Sequence, residues 1–575
     1  MRSGGIRGGV ARAAATFLAG AVMVSSAWAG ASLLPVSDGG SGKPAESKAT
    51  ALLPAQPVDS YAPSADSAAN QPINLPNPAS LPQGQVLAGA ARTSIEPRPE
   101  QYGGTWETRR SRCARLDPDG LQGVFEDPVE AGDHIASNGS PWHENPNCIY
   151  MGGFGIGPMN PVSSWDKDYG LWVRAVSMRD RQGDDLVLVV IDGEGWFWDY
   201  EKKCDDCGSK QISEALAADS ELGLKAENVV IAATHAHSSP DFIGGWGFVP
   251  DWYMRQVTDT IKGTVRAAVA SMRPAVLEHG EELARPFNNE RRSTYRSAEE
   301  QQLAWLRAYA APPSSRKAPG KPQPRAGDAP GKTIATIGAY AAHPTAFGTN
   351  DGEAHADWPG LFEKTLEERY GGVGLHFMTG LGNMSNSGLG SETRVGELAN
   401  RVRGVGEGDV VENPDIRTAR ATWQQPVTNA PLTALGTPGF FDRQFSGPAE
   451  VRTGKDPNKA QCVSASPHSA EVAASAARIG NEVALTAAPG EIFSNFSNTL
   501  KEKSGAQVTM PLGQANDALG YMPQNFEMHV AGQQGPGFVD GLKGVAVVNY
   551  EDAYAIDKCF GDKALETSIS LLGGL

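Results

Sequence analysis

Apolar and polar positions along the chain fall into two rhythms. Leu186-Val187-Leu188-Val189-Val190-Ile191 is an unbroken apolar run closed by Asp192, which predicts a strand buried on both faces. A second such run, Val229-Val230-Ile231-Ala232-Ala233, stops at Thr234-His235-Ala236-His237-Ser238-Ser239-Pro240. Further apolar segments cover 303–310, 333–342 and 483–488, and helical spacing covers 211–218, 257–272 and 358–370. The mixture predicts an α/β fold: mixed sheets with surrounding helices in a single large domain.

Three of the predicted strands end in metal-ligand chemistry. In an extended chain His235 and His237 point to one side, because side chains alternate with a period of two. The pair alone fits a hydrogen-bonded polar strand end as well as a metal site. The run from Thr333 closes on Ala342-His343-Pro344, and the run from Val483 closes on Pro489-Gly490-Glu491. Together these supply the His-His-carboxylate donors that zinc takes. Between them, Gly382-Asn383-Met384-Ser385-Asn386-Ser387-Gly388 places a serine in a glycine-rich turn. It reads either as a nucleophile or as an ordinary turn, and it is not a G-x-S-x-G elbow.

Composition narrows the setting. Arg2, Arg7 and Arg12 precede an apolar run that ends at Ala27-Trp28-Ala29, so residues 1–29 read as a signal peptide and the protein as secreted, periplasmic or held in the cell envelope. Residues 30–100 are rich in Pro, Ala and Ser and read as a flexible linker, leaving 101–575 as the folded domain. The stretch 311–331 reads as a surface loop. A formal net charge of −16 leaves no basic excess for nucleic acid. Six cysteines suit an oxidising compartment, and proximity suggests Cys113 with Cys148, Cys204 with Cys207, and Cys462 with Cys559. The Cys204–Cys207 pair reads first as a small closed loop and second as a redox or metal motif.

In order, these segments resemble the neutral (non-lysosomal) ceramidase family. Thr234 to Pro240 is similar to its Thr-His-Thr-His-Ser-Gly-Pro stretch, and Ala342-His343-Pro344 to its Ile-His-Pro or Val-His-Pro strand end. Gly382 to Ser387 is similar to the Gly-Asp-x-Ser-Pro-Asn nucleophile motif, with Asn383 in place of Asp and Asn386 in place of Pro. Pro489-Gly490-Glu491 matches Pro-Gly-Glu, and Tyr521 resembles a later family tyrosine. The chain after Tyr521 is expected to be too short for the immunoglobulin-like C-terminal domain of larger members.

The resemblance implies one zinc ion per chain held by His235, His343, Glu491 and Tyr521. It implies Ser385 as nucleophile and His237 as a nearby acid, base or substrate contact. Arg291 or Arg292, Asp168 and Asn383 are implied on the substrate side, Asp168 standing where the family has a histidine. The sequence assigns no calcium or magnesium site. The activity implied is cleavage of the N-acyl amide of ceramide to sphingoid base and fatty acid, with peripheral contact at a membrane surface. Two alternatives stand beside it: a zinc hydrolase of another amide or ester, and a catalytically silent metal-binding surface protein. Trp246, Phe248, Trp252 and Tyr253 read either as lining for a lipid slot or as turn packing.

Overall fold

The computed structural model describes residues 73–113, 147–153, 160–200, 203–245, 249–292, 298–311, 331–348, 352–430, 432–433, 443, 445–454, 462–528 and 550–575. The expected signal peptide, the linker as far as residue 72, most of the 311–331 loop, Trp246 and Phe248 lie outside them.

In chain order the first elements are β1 (Val86–Ser94), β2 (Trp172–Arg179), β3 (Asp185–Ile191), α1 (Ser209–Ala218), β4 (Val229–Ala233), α2 (Asp251–Ala270), β5 (Arg273–Leu283) and β6 (Asn288–Glu290). Next come β7 (Gln302–Ala310), β8 (Thr333–Tyr340), α3 (Asp357–Tyr370), β9 (Val373–Met378), β10 (Met384–Asn386) and β11 (Ile416–Pro426). The last are β12 (Ser469–Ile479), β13 (Val483–Ala487), β14 (Glu491–Ile492), α4 (Ser494–Ser504), β15 (Val508–Leu512), β16 (Tyr521–Met522) and α5 (Phe560–Gly574).

The main sheet runs β9-β8-β7-β5-β1-β2-β3-β4. It is mixed: β3 with β4 and β8 with β9 pair in parallel, and the joins between are antiparallel. The sheet folds back on itself, so that β9 at one end packs against β2, β3 and β4 near the other. Val176, Leu188 and Val230 from one half share an interior with Leu306, Ile337 and Leu375 from the other. Every residue of β3 is buried, and at about 1.5–3 kcal/mol per large aliphatic side chain that burial is what holds the strand inside. A second sheet, β11-β12-β13-β15, contributes Ala477, Leu485 and Leu512 to the same interior and carries α4 and α5 on its outside. The single α/β domain expected from the sequence is what is observed.

The linker boundary is corrected. Residues 86–94, expected within the tether, form β1 at the centre of the main sheet, paired with β2 along its length and with β5 at its start. The physical reason for the error is the reason for the composition. Helix α2 lies so close over β1 that a side chain at Gly89 would run into the Ala268 carbonyl. Small residues are required there, and Val-Leu-Ala-Gly-Ala-Ala reads as low complexity.

Helix α2 starts at Asp251, earlier than its apolar spacing suggests, and this places Trp252 and Tyr253 in its first turn. Both are buried in the core, and the Tyr253 hydroxyl donates to the Ile95 carbonyl at 2.8 Å. Of the two readings these aromatics had, packing is the one observed. All three expected disulfides are present, the Cys204–Cys207 pair closing its own short loop. No helix among the described residues is long and apolar enough to cross a membrane.

Candidate metal centre

Because the main sheet folds back, the segments that follow β4 and β8 meet. Strand β4 ends at Ala233, and His235 takes a left-handed backbone with φ of 58°. That conformation is costly for a branched or bulky residue and is held here by the surrounding packing. His235 and His237 therefore reach the same point through a turn and not through strand alternation, with their Nε2 atoms 3.3 Å apart. His343, three residues beyond β8, completes a buried cluster in which the ligand atoms of all three histidines lie within 4.8 Å of one another. Such a cluster could bind a metal ion.

Hydrogen bonds fix which nitrogen faces inward. His235 Nδ1 pairs with the Glu194 carbonyl at 2.7 Å, His237 Nδ1 with the Gly153 carbonyl, and His343 Nδ1 with the Leu381 carbonyl at 3.3 Å. A carbonyl can only accept, so each Nδ1 carries the proton. Each Nε2 then faces the common centre.

Two further donors close the cage. Glu491, on β14, brings Oε2 to 3.4 Å from His235 Nε2 and 3.6 Å from His343 Nε2, and that buried oxygen has no hydrogen-bond donor. Strand β16 pairs in parallel with β14 and sets Tyr521 directly beside Glu491. The Tyr521 hydroxyl lies 3.4 Å from His343 Nε2.

The electrostatics fit a cation. Burial disfavours a charge on His235, yet the Glu491 carboxylate, with help from Glu194, raises its pKa to about 9. Burial holds His237 and His343 well below the usual histidine range, with the charges of His235 and Arg291 acting in the same direction. The cluster thus favours one positive charge against Glu491 and keeps two neutral imidazoles beside it. The charge is a proton on His235 Nε2 facing Glu491; with a cation in that proton's place, three nitrogen lone pairs, a carboxylate oxygen and a phenol form a donor set that suits zinc.

The remaining predicted residues separate. Ser385 lies on β10, which pairs with β6 and accepts the His343 N–H at the Met384 carbonyl. It is half-buried and takes no hydrogen bond from the three histidines. Asn383, expected on the substrate side, instead accepts the Ser494 backbone N–H at 2.8 Å and its hydroxyl at 3.0 Å, capping α4 from outside the helix. Asp168, expected as a pocket wall, is exposed, and Asp166 is the carboxylate turned inward, 3.6 Å from His355 Nε2. His355 in turn donates its N–H to the Ser238 carbonyl next to His237. Of the two arginines, Arg291 faces the site and donates to the Tyr521 hydroxyl at 3.1 Å. Arg292 is buried against Asp552 and the Glu527 carbonyl.

Glu194 is not among the site residues expected from the sequence. It is buried behind His235 with Oε1 3.7 Å from Nδ1, and burial pushes its pKa up to about 8. Its position just past a fully apolar strand was the available signal.

No family model matches the sequence, and no curated protein matches it. Solved structures do match the fold, and two of them are ceramidases. Neutral ceramidase from Pseudomonas aeruginosa matches with a TM-score of 0.52 at 16% identity, over 85% of this chain and 74% of that one. A ceramidase complexed with C2 matches with a TM-score of 0.53 at 15% identity and the same coverage. The resemblance carried by four dispersed motifs is therefore matched by the fold.

Proposed function

We propose that this chain is an exported, zinc-dependent amidohydrolase that cleaves the N-acyl amide of ceramide or a closely related lipid. The observation that carries the reading is the convergence of three tautomer-fixed imidazoles on the unpartnered oxygen of Glu491. His235, His343, Glu491 and Tyr521 would hold the zinc. When bound, zinc supplies Lewis-acid polarisation of a carbonyl.

The chain's own groups do the rest. His237, kept neutral by burial, accepts a proton at Nε2 and returns it to the leaving amine. Ser385 presents a half-buried hydroxyl as the nucleophile at the edge of the cluster. Phe347 is 41% exposed on the loop that follows His343 and offers an apolar contact to an acyl chain or a lipid surface. Asn383, committed to capping α4, leaves the serine without the acidic neighbour of the family motif and supports a second substrate reading, another N-acyl amine.

The test is hydrolysis of a fluorescent ceramide beside a non-sphingoid N-acyl amine, with and without a zinc chelator. Chelator-sensitive ceramide cleavage is the expected result. Cleavage of only the other amide would keep the chemistry and replace the substrate. Stoichiometric zinc with no turnover on either would sink the enzyme reading in favour of a metal-binding protein.

A further inference from the structure

We propose that Glu551 is a positioning residue of the metal centre, holding Arg291 so that one guanidinium N–H is aimed at the phenol oxygen of Tyr521. The proposal rests on the metal-site reading above and adds to it a segment that carries none of the donors.

Two consecutive arginines after β6 meet two consecutive acids far along the chain. Arg291 Nε donates to Glu551 Oε1 at 2.9 Å, and Arg292 Nη2 donates to Asp552 Oδ1 at 3.1 Å. All four partners are buried or nearly so. The pairs differ in what the arginine does next. Arg291 Nη2 donates to the Gly382 carbonyl at 2.9 Å and to the Tyr521 hydroxyl at 3.1 Å, which uses both of its hydrogens. The guanidinium is planar, so fixing Nε on Glu551 and one Nη2 hydrogen on Gly382 leaves the other a single direction, toward Tyr521. Arg292 Nη2 donates instead to the Glu527 carbonyl at 2.9 Å.

The 551–559 segment is seated as a unit against the tyrosine strand. Ala555 bridges Gly520, the residue before Tyr521, and Gly520 is left-handed with the Tyr554 carbonyl where a side chain would lie. The disulfide between Cys462 and Cys559 anchors the far end. Glu551 therefore stands on a fixed platform, and its carboxylate sets the arginine and not the reverse. An N–H held on the phenol oxygen fixes which side of that oxygen remains to face the histidines.

The test uses the full chain loaded with copper(II), whose phenolate-to-metal absorption reports Tyr521 ligation directly, together with zinc affinity by chelator competition. Glu551→Gln is expected to weaken or shift that band and to lower zinc affinity by about tenfold. Asp552→Asn removes the neighbouring, fully buried ion pair, and is expected to lower the unfolding midpoint while leaving band and affinity unchanged. Should Glu551→Gln fail to fold, Glu551→Asp, which keeps the charge and shortens its reach, takes its place with a smaller shift in the same direction. A Glu551 variant that keeps both signals, or two acid variants that move them alike, would overturn the positioning role and leave the metal site standing. A wild-type chain that binds neither copper nor zinc would overturn the metal site and this inference with it.

Discussion

Two buried polar clusters sit at neighbouring places in the main sheet, and they are built on opposite principles. Around Arg174, on β2, the guanidinium meets Asp192 at 2.9 Å and Glu363 at 2.7 Å, with Glu367 and Arg92 alongside. Burial pushes Asp192 and Glu363 up, and Arg174 opposes it, so charge and proton are balanced within the group. Around His235 the arrangement is open. Each imidazole spends its Nδ1 hydrogen on a backbone carbonyl and turns Nε2 to a shared centre, where the Glu491 oxygen also points. The first cluster sets its own opposite charges against each other and holds helix α3 to the sheet. The open one is shaped for something the chain does not itself supply.

The largest way to break that contrast is His343→Ala, which is expected to take bound zinc from about one per chain to background while far-UV circular dichroism stays native. Loss of the fold instead would make the histidine cluster structural. Next is Arg174→Met. Removing one partner of a buried ion group leaves its acids uncompensated, and a stability loss of about 3–5 kcal/mol in urea unfolding is expected. Zinc per folded molecule should be unchanged, and a folded variant that has lost its zinc would merge the two clusters into one. The smallest is Asn383→Ala, which removes the acceptor at the start of α4 and should cost about 1 kcal/mol with zinc affinity intact. A fall in zinc affinity there would return Asn383 to the site.

What the sequence made legible follows from how each signal is written. Continuous β-branched runs announce buried strands because burial periodicity is local, and the residues at their abrupt ends, His235, His343 and Glu491, are ones the structure brings together. Strand β1 was missed because its small residues answer to a helix that packs from far along the chain. The choice between Arg291 and Arg292 stayed open for the same reason, since their acids lie 260 residues later. Asn383 looked like part of a nucleophile motif because the helix it caps begins 111 residues further on. Left-handed His235 carries no residue-type warning at all, and its conformation is a product of tertiary packing.

The distance between Arg291 and Glu551 also sets an order in time. A growing chain that has reached Tyr521 holds every proposed donor, but not yet the segment that aims Arg291 at the phenol. In order of translation the donors therefore come first, and the residue that holds Arg291 comes after the last of them.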